Sequence, residues 1–300
     1  MTGPSIARSR LVRHRMSDGN TFYTPKGARM DVSKVAREVA EYFEAGIRLS
    51  PGDVVFDVGA NVGLFARHVA EHTGGDASIY CFEPIGAIHD ALAANFAEHP
   101  AMKRTRHRLF RCGLTKEGGP EQIQFYYFRN NPCDSTYDIE AKRRDFEDAF
   151  ATFGGWTKSR IERALPGPLG RWLGSAAGAV IADLPKGPVG RWMSDRVTGM
   201  EKVVCELSTL TKIIEQERVP KIDLLKIDVE GAELDVLLGL SDDGWRKVRQ
   251  IVLEGHDKEG RLNELVRLIE SHGMKIGTIG KPADTEALGL ANFMLTAARA

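Results

Sequence analysis

The sequence predicts an α/β fold, a mostly parallel seven-stranded sheet with helices on both faces and a helical insertion. Three observations carry this expectation. Short β-branched and aromatic runs alternate with helical periods, the pattern of right-handed βαβ units. Two of the runs end in acid- and glycine-bearing turns, Asp57-Val58-Gly59-Ala60-Asn61-Val62-Gly63 and Asp228-Val229-Glu230-Gly231, and in open α/β sheets ligands bind beyond the carboxyl ends of the strands. The chain has 300 residues and 42% hydrophobic content, enough for one large buried core.

The elements follow in order. Residues 1–30 carry six basic side chains against one acid, Asp18, and read as a solvated arm. From Asp31 the apolar residues Val35, Val39, Phe43 and Ile47 recur every four positions as one helical face, which Pro51-Gly52-Asp53 ends in a turn. Val54-Val55-Phe56 reads as a buried strand, 62–72 as a helix, Ile79-Tyr80-Cys81-Phe82 as a strand and 86–98 as a helix. A strand near 107–112 and a hairpin segment at 122–128 come next. The rhythm resumes with a strand at 203–206, a helix at 209–217 opened by Ser208, and the strand Leu224-Leu225-Lys226-Ile227. A helix from Ala232, the strand Gln250-Ile251-Val252-Leu253, a helix at 260–272 and strands near 274–279 and 291–297 complete the sheet. The closing pair implies one antiparallel strand. Residues 1–50 are thus an arm and helix, and 51–300 one domain interrupted at 138–200.

That interruption holds Trp156, Trp172 and Trp192 and several Gly-Pro steps, including the near-repeat Gly167-Pro168-Leu169-Gly170-Arg171-Trp172 and Gly187-Pro188-Val189-Gly190-Arg191-Trp192. Two copies are too few for a solenoid. It reads as a helical lid over the functional edge, with Trp156 as an acceptor contact.

Composition removes several classes of function. Lys plus Arg and Asp plus Glu both total 41, so no global field draws the chain to nucleic acid or an anionic membrane. Four scattered cysteines without a CxxC pair fit reduced thiols in the cytoplasm. No apolar run is long enough to span a bilayer.

The chemistry concentrates at the strand ends. A dinucleotide fingerprint wants GxGxxG, whereas Asn61 occupies the second glycine position and Leu64-Phe65-Ala66 supplies no third. Backbone amides of the turn are expected to face the ligand, and Asp57 ahead of the first glycine suits a ligand with a cationic amine and no phosphate, such as the amino-acid end of S-adenosylmethionine. Glu83, at the next strand's end, suits the two hydroxyls of an adenosine ribose. Asn130-Asn131-Pro132-Cys133-Asp134-Ser135-Thr136-Tyr137 is a polar loop able to touch cofactor or substrate.

The segments VVFDVGANVG, YCFEP, LLKIDVEGAE and IVLEGHD, in that order, together resemble the FkbM family of class I S-adenosylmethionine-dependent methyltransferases, many of which modify natural products or sugars. The resemblance spans roughly 50–137 and 203–275. It implies a Rossmann-like class I methyltransferase fold with S-adenosyl-L-methionine as cofactor. Asp57, Gly59, Asn61 and Gly63 would form the methionine-side loop and Glu83 would hold the ribose. Asp228 and Glu230 would lie at the edge of the transfer site. Asp228 is taken both as a cofactor contact and as a catalytic candidate, Glu230 as an acceptor contact, and Ser135 of the polar loop as a further acceptor contact.

In Glu254-Gly255-His256-Asp257, His256 is the candidate general base, oriented by Glu254, since an imidazole near its ordinary pKa can accept a hydroxyl or amine proton. A metal site drawn from Asp228, Glu254 and His256 or Asp257 is the alternative, and no metal is assigned. The leading expectation is O-methylation of a hydroxyl on a secondary metabolite, sugar or carrier-tethered intermediate, by a monomer or homodimer. N-methylation, a non-catalytic S-adenosylmethionine-binding scaffold and a nicotinamide oxidoreductase are the competing readings.

Overall fold

The computed structural model describes residues 10–16, 18–30, 32–140, 143–144, 157–165, 167–183, 199–257, 260–280 and 292–299; the side chain of His256 and all of Trp156 lie outside that description. In chain order come β1 (Leu11–Arg15), β2 (Thr21–Pro25), α1 (Val32–Glu44), β3 (Asp53–Val58), α2 (Leu64–His72), β4 (Ala77–Phe82), α3 (Gly86–Glu98) and β5 (Arg106–Phe110). Then follow β6 (Gly113–Leu114), β7 (Gln122–Phe128), α4 (Pro168–Asp183), β8 (Met200–Ser208), α5 (Leu210–Gln216) and β9 (Leu224–Asp228). The last elements are α6 (Glu233–Leu237), α7 (Asp242–Lys247), β10 (Gln250–His256), α8 (Arg261–Ser271), β11 (Lys275–Gly280) and β12 (Asn292–Ala298).

Seven strands form one sheet in the order β11-β12-β10-β9-β3-β4-β5. The strands from β10 to β5 run parallel, and β12 is antiparallel to both its neighbours, so the expected sheet and its single reversed strand are both present. Side chains alternate between faces with the strand period. Val55, Ile79, Cys81 and Leu224 enter a layer with α1, α2 and α3, while Phe56, Phe82, Leu225 and Ile227 enter the opposite layer with α5 to α8. Burial on both faces explains the continuous apolar runs.

Four local expectations are corrected. The described part of the N-terminal arm is an antiparallel hairpin, Leu11 opposite Pro25 through Arg15 opposite Thr21. Its basic count hid a period-two pattern: Phe22 and Thr24 are fully buried while Arg13 and Arg15 are exposed. The hairpin docks on α3 through the Asn95 amide, which accepts from Tyr23 N at 2.7 Å and donates to Tyr23 O at 3.0 Å and Val62 O at 2.8 Å.

The strand at 203–206 does not rejoin the main sheet. It is the middle of β8, which pairs antiparallel with β7 along its whole length and takes β6 on its other side. The segment 122–128 therefore finds its partner across the interruption rather than in a neighbouring hairpin strand. Ser208 ends β8, and Thr209 caps α5 instead, its hydroxyl accepting from Lys212 N at 3.2 Å. Within 138–200, the described residues include helical turns at 157–164 and α4, with Leu165, Leu169 and Trp172 exposed; Trp192 lies outside the description. No helix among the described residues is long and apolar enough to cross a membrane.

Removing the Asn95 amide leaves the hairpin and the turn at Val62 with unmet buried polar groups. Asn95→Ala is expected to lower stability by about 3 kcal/mol in urea denaturation, and an unchanged midpoint would show that the hairpin contributes nothing to the fold.

Candidate active site

The parallel registers align the polar residues of the carboxyl edge. Asp57 on β3 sits directly across from Lys226 on β9, and Asp228 on β9 across from Glu254 on β10. Lys226 interrupts an apolar run, and its ammonium is almost fully buried. It lies 3.2 Å from Asp57 Oδ1 and 3.4 Å from Asp228 Oδ2, and it donates to Gly59 O at 2.9 Å. Burial opposes its charge, yet the two carboxylates hold its pKa above the ordinary lysine value. Burial pushes the Asp57 carboxyl up in turn, against the pull of Lys226. Asp57 thus faces Lys226 beneath the loop instead of the cavity, a correction to its expected place beside a ligand's amine.

The loop after β3 satisfies its own backbone. Gly59 and Ala60 N–H donate to Phe82 O at 3.1 and 3.0 Å, Asn61 N–H to Glu83 Oε2 at 3.2 Å, Val62 N–H to the Asn61 side chain at 2.8 Å, and Gly63 N–H to Ala60 O at 2.8 Å. The expectation that these amides face a ligand is therefore corrected: those of Gly59, Ala60 and Asn61 are consumed in tying β3 to the end of β4, and those of Val62 and Gly63 within the loop. Gly59, at φ 75°, is required by contact, because a Cβ there would lie 1.8 Å from Asp228 O. Gly63 opens α2, and a Cβ there would press on Leu92 of α3 at 2.7 Å, so its task is helix packing.

A cavity of about 390 Å³ covers this edge. Gly59, Asn61, Glu83, Ser135, Asp228, Glu230 and Glu254 all line it, so the sequence brought most of its candidates to one place. Glu83 is fixed at the wall, its second oxygen accepting from Ile85 N at 2.8 Å. Burial raises its pKa to about 7, restrained by the Ile85 and Asn61 amides. Ser135 Oγ accepts from Phe128 N–H at 3.1 Å. The small sheet roofs part of the cavity with Ile123, Phe125 and Leu207. After β9, Glu230 and Gly231 take positive φ of 50° and 105°. That turn is pinned by Tyr137 Oη donating to Gly231 O at 3.1 Å, by Arg261 on the same carbonyl, and by Gly231 N donating to Glu233 Oε1 at 2.7 Å.

Sequence reasoning missed Tyr42. Its phenol, on the buried stripe of α1 that contains Val35 and Val39, donates to Glu254 Oε2 at 2.8 Å and lies 3.3 Å from Asp228 Oδ2. Position 42 falls three residues past Val39 on that stripe, which marks its ring as buried but gives no sign of the two acids its hydroxyl meets. Burial and the two carboxylates keep the phenol's pKa well above its ordinary value, so it remains a donor. For Glu254, burial first, then the charges of Asp228 and Glu230, raise the carboxyl to about 8. Among the described residues, three potential metal-ligand atoms converge at Asp18, Glu71 and His99, where Arg67 already pairs with both acids at 2.6 and 2.9 Å.

The model of the methyltransferase FkbM domain matches residues 57–276, the span that contains every strand end just described. The chain belongs to the FkbM methyltransferase family. It is 32% identical over 241 residues to 31-O-demethyl-FK506 methyltransferase FkbM of Streptomyces tacrolimicus, covering 78% of this chain and 77% of that protein. Methyltransferase sdnD of Sordaria araneosa is 29% identical over 230 residues, 74% of this chain and 73% of its own. The AMB antimetabolite synthetase AmbE of Pseudomonas aeruginosa is 32% identical over 240 residues, 78% of this chain but 10% of that much longer protein. In this FkbM-family chain, the four segments that carry the family pattern coincide with the loop after β3, the end of β4, β9 with its turn, and β10.

Losing the lysine would strand Asp57 as a buried charge. Lys226→Met is expected to cost about 3–5 kcal/mol near neutral pH. A buried carboxyl with a raised pKa binds its proton more readily folded than unfolded, so the deficit should shrink as pH falls and grow as it rises. Urea denaturation across that range checks the sign, and a pH-independent deficit would mean that Asp57 is not the group left stranded.

Proposed function

We propose that this FkbM-family chain transfers the methyl group of S-adenosylmethionine to a hydroxyl oxygen of a small natural-product acceptor, free or tethered to a carrier. The observation that carries the proposal is the cavity's division into two chemistries. At one end, Glu83 stands buried at the wall with both oxygens oriented by backbone amides and with lone pairs left for two ribose hydroxyls. At the other, the carboxyl groups of Asp228, Glu230 and Glu254 line the wall, a set suited to a cationic ligand. The loop amides between them are already bonded, so the usual nest for a pyrophosphate is missing, which disfavours a nicotinamide dinucleotide. The residues present therefore fit S-adenosylmethionine: ribose at Glu83, the positively charged methionine end near the acids, and close approach over Gly59.

When bound, that cofactor supplies an electrophilic sulfonium methyl: an acceptor lone pair forms the new bond to carbon, and the carbon–sulfur pair returns to sulfur as S-adenosylhomocysteine leaves. The protein's part is to hold the acceptor in line, exclude water and receive the acceptor's proton. Tyr42, Val39 and Phe65 cover the acidic end with apolar surface. Glu254 and Asp228, on the wall of that end, are groups able to take the proton. The acids also disfavour a carboxylate or phosphate as the atom methylated, which supports a hydroxyl or amine acceptor. The natural-product class follows the Streptomyces relative, a 31-O-demethyl-FK506 methyltransferase, and the carrier-tethered form follows the synthetase in which a related segment occurs.

Glu83→Ala removes two charge-assisted hydrogen bonds of about 1.5–3 kcal/mol each and should weaken S-adenosylmethionine binding at least tenfold in titration calorimetry. Unchanged affinity in the variant, or tight binding of NAD instead of S-adenosylmethionine by the parent protein, would overturn the reading.

A further inference from the structure

Glu254 and Asp228 are neighbours across the β10–β9 register, both on the cavity wall, yet their partners differ. Asp228 has the Lys226 ammonium at 3.4 Å. Among the described residues, Glu254 has no cation paired with it. Its hydrogen-bond partner is the Tyr42 phenol at 2.8 Å, and the nearby Asn292 amide on β12 favours its charged form. The charged and titratable groups facing it from the packed elements are Tyr42 from α1, Asp228 from β9 and Glu230 from the following turn, with Lys226 and Asp57 behind Asp228. The phenol has one proton to give and lies within reach of both carboxylates. Two neighbouring acids on the cavity wall with one shared donor favour retention of a proton by the one without a cation.

We propose that Glu254 is the catalytic base, positioned by Tyr42, and that it holds a proton in the free protein which the arriving cationic cofactor expels. The proposal rests on the S-adenosylmethionine reading of the site. With burial and the neighbouring acids raising it to about 8, the Glu254 carboxyl is mostly protonated near neutral pH and useless as a base. A cation entering the same cavity favours the carboxylate, and the proton leaves to solvent. In the transfer, the acceptor's O–H proton passes to a Glu254 oxygen while the bonding pair stays on the acceptor oxygen. The product S-adenosylhomocysteine carries no sulfonium charge, so Glu254 keeps that proton until the next cofactor arrives. The proton released overall by methylating a hydroxyl thus leaves at cofactor binding. The Tyr42 hydrogen bond favours the charged form of Glu254 and fixes its orientation, which makes Tyr42 a positioning residue.

The test counts protons during binding of S-adenosylmethionine and of S-adenosylhomocysteine to the full chain, by calorimetry in buffers of different ionisation enthalpy over a range around pH 7–8. The ligands' own amino groups also exchange protons, so the quantity read is wild type minus Glu254→Gln. S-Adenosylmethionine should release an additional fraction of a proton in this difference, greatest where free Glu254 is protonated and vanishing well above pH 8; S-adenosylhomocysteine should release much less. Tyr42→Phe, which deletes a donor to the carboxylate, should shift the release to higher pH, a change that loss of packing alone would not produce. In this difference, equal release by the two ligands, or no additional release by S-adenosylmethionine, overturns the assignment of Glu254 while leaving the cofactor reading intact. Failure of both ligands to bind overturns the methyltransferase reading and this proposal with it.

Discussion

Because Lys226 cannot stay charged in an apolar layer without partners, the carboxyl ends of β3 and β9 are obliged to gather Asp57, Asp228 and the Gly59 carbonyl around one ammonium. That gathering brings the two strand-end loops together so closely that residue 59 has room only for hydrogen. It also sets the direction of Asp228, which in turn faces Glu254 and Tyr42. The floor of the cavity, its acidic end and the approach of α1 all follow from how one buried cation is neutralised. A buried ion pair of this kind contributes little net stability compared with apolar side chains, and its value here lies in specifying geometry.

The second consequence is electrostatic. Lys226 is shared by two carboxylates, and Glu230 and Glu254 add further acidic groups on the same wall. The wall around Lys226 is therefore rich in acids, an environment that favours a cationic ligand. The loop after β3 has meanwhile turned its amides inward to the end of β4, giving up the anion-binding surface that other nucleotide folds keep there. An adenosine bearing a positive chain fits both features, whereas a dinucleotide phosphate fits neither.

The main sheet was legible because parallel strands buried on both faces are written as plain apolar runs, and the reversed last strand because two runs close the chain without room for a crossover helix. The N-terminal hairpin was not, since its basic residues occupy one face of a two-residue period and mask the buried Phe22 and Thr24 on the other. The strand at Met200–Ser208 looked like another βαβ member, because nothing local distinguishes a strand that pairs with β7 across a long interruption. Glu83, Asp228 and Glu254 could be read from their positions at strand ends. Tyr42 could not be singled out in the same way: its apolar ring sits on an amphipathic stripe, and only the tertiary packing of α1 over the sheet brings its hydroxyl to the two acids. Asp57 was read as a ligand contact because its partner, Lys226, lies far away in sequence and meets it only through strand register.

The most direct measurement of the central claim is a crystal structure of the chain with S-adenosylhomocysteine. The account predicts both ribose hydroxyls on the Glu83 carboxylate, the sulfur at the end of the cavity walled by Tyr42, Asp228 and Glu254, and the Lys226 ammonium still between Asp57 and Asp228. An adenosine seated away from Glu83, or a ligand whose sulfur points away from those acids, would contradict it.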